Sequence, residues 1–125
     1  MRTGKLTILG REYPLCFSTQ VVCNVSDKFG GLNQLMDALR SEDLTVQLRT
    51  AMWTLAEMSR AGHAYAALCG EETPKPLTEE QLLAVFGPDD LAGLYGKIMQ
   101  TITDGSRREV EAEPPKNAAT TGVNG

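Results

Sequence analysis

Histidine and cysteine are scarce in this 125-residue chain: one histidine, His63, and three cysteines, Cys16, Cys23 and Cys69. No two cysteines stand at C-x-x-C spacing, and no histidine cluster exists to complete a zinc set. An odd number of thiols at such spacings argues against a disulfide framework and fits a reducing compartment. Basic charge is also short, with 12 Lys and Arg against 16 Asp and Glu and a net charge of −4. A nucleic-acid binder needs a dense positive field to displace counterions from phosphates, so this balance argues against one. No run approaches the roughly 18 apolar residues of a membrane span. Met1 to Gly10 lacks the apolar stretch of a signal peptide. Neither G-x-G-x-x-G nor the G-x-x-x-x-G-K-[ST] phosphate loop occurs. These absences leave the expectation of a cytoplasmic protein with no cofactor, no metal and no nucleic-acid or membrane partner.

Apolar residues make up 42% of the chain, enough for one modest core. The pattern predicts a mainly α domain over residues 1–105, opened by a small β-hairpin and followed by about five short helices. Leu6 and Ile8 alternate with polar neighbours, as do Tyr13, Leu15 and Phe17 on the return strand. Gly10-Arg11 reads as the two-residue turn, with glycine first as in type II′. Pro14 cannot donate to a ladder, so its strand is an edge. A lone two-stranded hairpin is marginal in water and must lean on helices or on another chain.

Ser18 is a good N-cap for a helix from Thr19 to Phe29, with Val22, Val25 and Phe29 on one face and Val21 beside them. Gly30-Gly31 ends it. Leu32, Leu35, Met36 and Leu39 follow helical spacing in a second helix. A third, capped by Ser41 or Asp43, runs from about Leu44 to Arg60 and gathers Leu48, Ala51, Met52, Leu55, Ala56 and Met58 on one side. Gly62 either breaks it or lets it run on weakly to Leu68. Thr78 and Gln81 form a capping-box signature for the next helix. Gly87-Pro88 closes that one, and Leu91, Leu94, Tyr95, Ile98 and Ile102 make the last stripe, ended by Gly105. Residues 106–125 lose all periodicity. They read as a disordered tail that cannot bury enough apolar surface to offset chain entropy.

Chemistry is hard to assemble from these residues. His63 sits at an expected helix boundary and has no histidine partner. Cys23 and Cys69 lie in apolar helical contexts, where a free cysteine behaves as a small buried hydrophobe. The carboxylate pairs Glu79-Glu80 and Asp89-Asp90 fall in first turns, where the helix dipole favours acid, and Glu71-Glu72 falls in a loop. A helix-turn-helix over Thr78 to Met99 is disfavoured, because its second helix carries Asp89, Asp90 and a lone Lys97. No catalytic residue is assigned.

Partner-binding candidates are better placed. Trp53 falls with Val46 on the side of the third helix opposite its apolar face, flanked by Arg49, Glu57 and Arg60. A tryptophan fringed by charge is either an interface anchor or the floor of a second helix layer. Gly93 and Gly96 leave a shallow groove in the last helix, for core packing or for a helix of another chain.

The order of "KLTILGREYPLCF", "STQVVCNVSDKFGGLNQLMDAL", "TVQLRTAMWTLAEM" and "DDLAGLYGKIMQTITDG" resembles the tail assembly chaperones of long-tailed bacteriophages and prophages. Their opening is a strand pair and then a helix ending in an aromatic-glycine step, here Phe29-Gly30. The resemblance spans about Lys5 to Gly105. It implies a non-enzymatic protein of the bacterial cytoplasm that coats the tape measure protein before tail tube subunits polymerise around it. It also implies self-association and a longer frameshifted form. Methionines Met36, Met52, Met58 and Met99 could adapt to varied partners, although core filling is their commoner use. The alternatives are another phage structural or connector protein, a generic helical adaptor, and an enzyme acting through Cys23, Cys69 or His63.

Overall fold

A computed structural model describes residues 4–106. The hairpin pairs β1 (Gly4–Ile8) with β2 (Arg11–Leu15), and five helices follow: α1 (Thr19–Phe29), α2 (Leu32–Leu39), α3 (Leu44–Leu68), α4 (Glu79–Val85) and α5 (Leu91–Ser106). A 3₁₀ turn, Pro88–Asp90, joins the last two. The expected class, mainly helical with an N-terminal hairpin, is the one observed. The tail expected from 106 onward lies, apart from Ser106, outside the described residues.

The turn differs from expectation by one residue. Ile8 pairs with Arg11, so the central residues are Leu9 and Gly10, with φ of 51° and 81°. Two positive φ values make a type I′ turn. Pro14 explains the choice. A Gly10-Arg11 turn would aim the proline nitrogen, which carries no hydrogen, into the ladder opposite Thr7. In the observed register Pro14 pairs with Lys5 at a position whose nitrogen points away from β1. The same side chains stay on the core face in either register: Leu6, Ile8, Tyr13 and Leu15 are all buried. Leucine in the left-handed region costs about 1–2 kcal/mol. Leu9→Asn is therefore expected to raise stability by about 1 kcal/mol, read as a higher urea midpoint with an unchanged slope.

Helix α3 is the spine of the domain. At about 1.5 Å per residue its 25 residues span roughly 37 Å. From Thr50 to Ser59 every residue but Trp53 is buried, and Trp53 is half-buried. Hairpin, α1, α2, α4 and α5 all pack around it. Two of its buried hydroxyls are satisfied within the helix. Thr54 donates to the Thr50 carbonyl (2.7 Å) and Ser59 to the Ala56 carbonyl (3.0 Å). Met52 and Met58 are fully buried core, while Met36 and Met99 pack half-buried against it.

The helix does not break at Gly62. There the β2 backbone comes directly against α3. A Cβ on Gly62 would lie 2.0 Å from the Pro14 carbonyl oxygen. One turn earlier, the Cys16 amide donates to the Met58 carbonyl at 3.0 Å. From Pro14 to Cys16 the outer edge of β2 is thus covered by the chain's own helix. Gly105 does not end α5 either. The helix continues to Ser106, and a Cβ on Gly105 would meet Phe17 Cβ at 2.5 Å.

Helix ends follow local chemistry. Ser18 caps α1, accepting from the Val21 amide, and Gly30 ends it in the left-handed conformation at φ 101°. Asp43 caps α3 by accepting from Thr45 and Val46 amides. Thr78 and Gln81 complete the capping box of α4. Within α1 the inward residues are Val21 and Val25, while Val22 turns out at 46% exposure. The i, i+4 pair therefore replaces the expected Val22–Val25 face.

Candidate protein-binding surface

Side chains at Val46, Arg49, Trp53, Glu57 and Arg60 recur every three or four residues along one flank of α3, and α1 lies across that flank. Trp53 is not free. Phe29, at the end of α1, meets it edge-on with ring centroids 5.3 Å apart and planes at 76°. Lys28 lies over both rings, its Nζ 5.7 Å from the Phe29 centroid and 5.6 Å from that of Trp53. The helical wheel placed Trp53 opposite the apolar side. A helix buried nearly all round has no such opposite side, so α1 covers the indole in part.

Val46 remains exposed at 39%. It borders a groove of about 350 Å³ together with Lys28, Phe29, Arg49, Thr50 and Glu79. Phe29 and Val46 beside two cations can seat an apolar side chain and hold a neighbouring carboxylate, with Glu79 at the same groove. Among the described residues neither Lys28 nor Arg49 makes an ion pair.

Further along the flank the polar groups are tied together. Glu57 is buried and takes a hydrogen bond from Asn24 Nδ2 at 2.6 Å and an ion pair from Arg60. Gln20 donates to Asn24 at 2.9 Å. This chain of contacts fixes α1 against α3 and satisfies the buried carboxylate. Beyond it opens a groove of about 370 Å³ lined by Val21, Ala61, Ala64, Tyr65 and Leu68. Sequence reasoning missed this groove, because its lining comes from parts of α1 and α3 that lie far apart in the sequence.

Gly93 and Gly96 are exposed on α5, and among the described residues no atom outside the local helix backbone lies within 4 Å of a Cβ built on either. Among the described residues no other element packs on them, which disfavours the core-packing reading. Gly93→Ala and Gly96→Ala are each expected to stabilise the helix by about 0.5–1 kcal/mol, measured as a raised melting temperature. Thus Val46, Phe29 and Trp53 come together on one face, while Gly93 and Gly96 form a separate smooth strip on another helix.

The residues weighed for chemistry are dispersed. His63 lies inside α3, and its Nδ1 sits 2.7 Å from Thr73 Oγ1, tying the segment after the helix back onto it. Cys23 and Cys69 are exposed, contrary to expectation. Cys23 sits on the outward side of α1, and Cys69 is the C-cap of α3, its amide bonding back to Tyr65 and Ala66. Cys16 is buried, and burial pushes its thiol up, away from the thiolate that a nucleophile needs. Asp90 accepts from the Gly87 amide at 2.8 Å, an ordinary helix-start role. Among the described residues, no group of three or more His, Cys, Asp or Glu could hold a metal ion, and no helix is long and apolar enough to cross a membrane. Comparison with protein-family models, curated proteins and solved structures returned no match.

Proposed function

We propose that this chain is a non-enzymatic tail assembly chaperone of a bacteriophage or prophage. In this reading it works in the bacterial cytoplasm, binding the tape measure protein and keeping it soluble while tail tube subunits assemble. The observation that carries the reading is the α1–α3 face. Phe29, exposed Val46 and the cations Lys28 and Arg49 line one groove with Thr50 and Glu79, and Trp53 backs it through its edge-on contact with Phe29. A protein that shields a long helical client needs shallow apolar grooves and enough net charge to keep the complex in solution. The hairpin-first order and the Phe29-Gly30 step agree with the resemblance to such chaperones.

Co-expression with the tape measure protein encoded nearby tests this directly. A soluble complex that co-purifies is expected. A client that stays insoluble and unbound across several lengths of its chain contradicts the proposal. Finding the protein instead as a ring in finished particles would favour a connector, since a chaperone leaves before maturation.

A further inference from the structure

The hairpin tip carries a residue that the stability of the chain does not explain. Leu9 holds a backbone conformation suited to asparagine or glycine, and its side chain is 85% exposed. It gains neither backbone ease nor burial. It stands at the rim of a cleft of about 470 Å³ between the hairpin and α4, with Ile8, Tyr13, Leu77 and Val85. Val85 is itself 39% exposed. The cleft runs into a second hollow that shares Arg11, Tyr13, Leu77 and Gln81 and extends to Lys75.

Charge in this trough has one sign. Arg11 and Lys75 are both exposed, and neither makes an ion pair among the described residues. No carboxylate lines either hollow, although acid outnumbers base in the chain. Tyr13, only 4% exposed, lines both. An apolar trough with two cations, unpaired among the described residues, complements an apolar side chain flanked by carboxylates. The guanidinium of Arg11 can take a carboxylate through two parallel hydrogen bonds.

We infer that the cleft between the hairpin tip and α4 is a docking site for an acidic, leucine-bearing segment of another protein. It is distinct from the α1–α3 face and does not depend on the tail-assembly reading. In the bound state the partner's apolar side chain lies against Leu9, Tyr13 and Val85, and its carboxylates meet Arg11 and Lys75. The misfit leucine at the turn is then kept for the contact it makes.

Titration of the full chain with two synthetic peptides tests this. One has a leucine core flanked by glutamates, the other the same core flanked by lysines, and amide-correlation NMR follows both. The acidic peptide is expected to shift the amides of Leu9, Gln81 and Val85 and to bind at least about tenfold more tightly than its lysine counterpart. Leu9→Asn suits the turn, so it keeps the fold, and it is expected to weaken the acidic peptide by about tenfold. The pair Arg11→Glu and Lys75→Glu is expected to reverse the peptide preference. Equal binding of both peptides, binding of neither, or undiminished binding by Leu9→Asn overturns the inference.

Discussion

Gly62→Ala is expected to be strongly damaging, lowering stability by about 3 kcal/mol. The added methyl group would sit 2.0 Å from the Pro14 carbonyl oxygen and 2.4 Å from its carbon. Both are backbone atoms, so no rotamer change relieves the clash. Either β2 lifts from α3, losing the Cys16-to-Met58 hydrogen bond, or α3 bends away from a core packed on all sides. Domains of this size hold only about 5–15 kcal/mol in total. A drop in melting temperature of roughly 12 °C or more is expected. Gly93→Ala gives the internal contrast, since the same exchange at an open position raises stability. If Gly62→Ala melts like the parent, the close packing of hairpin on spine is wrong.

Trp53→Ala is expected to cost about 2–3 kcal/mol, below the 3–5 kcal/mol typical of a fully buried tryptophan, because the ring is half-buried. It removes the edge-on contact with Phe29 and the ring beneath Lys28. If the chain acts as the proposed tail assembly chaperone, the exchange is also expected to cut binding of the tape measure protein more than the loss of folded protein explains. Chemical denaturation followed by circular dichroism gives the first effect. Binding measured well below the melting temperature isolates the second. Trp53→Phe should recover most of the stability.

Much of the fold is legible because its causes are local. Ser18, Asp43 and the Thr78–Gln81 pair announce helix starts through side chains that satisfy nearby amides. The i, i+3, i+4 stripes of α2 and α5 largely name their buried sides, with Leu35, Leu39, Leu94, Ile98 and Ile102 inside, although Leu32 at the start of α2 is 40% exposed. The failures share a different origin. Gly62 reads locally as a breaker, yet its reason lies some fifty residues away in the β2 backbone. Cys23 and Val22 sit among apolar neighbours, but α1 buries only a narrow strip, Val21 and Val25. The turn register was open to inference. Pro14 excludes the glycine-first turn, but glycine's affinity for that position is the stronger local signal. Of the candidate site, the pairing of Val46 with Trp53 follows from their spacing on one helix. The arrival of Phe29 and Lys28 does not, because it depends on how α1 crosses α3.

In the proposed function another protein chain sits on the α1–α3 face. Trp53 is the only tryptophan, so a fluorotryptophan label on this chain reports that face alone. Fluorine NMR of the labelled protein with the unlabelled tape measure protein is the most direct measurement. A displaced or broadened Trp53 resonance is predicted when the complex forms. A complex in which that resonance is unmoved, or no complex at all, would contradict the account.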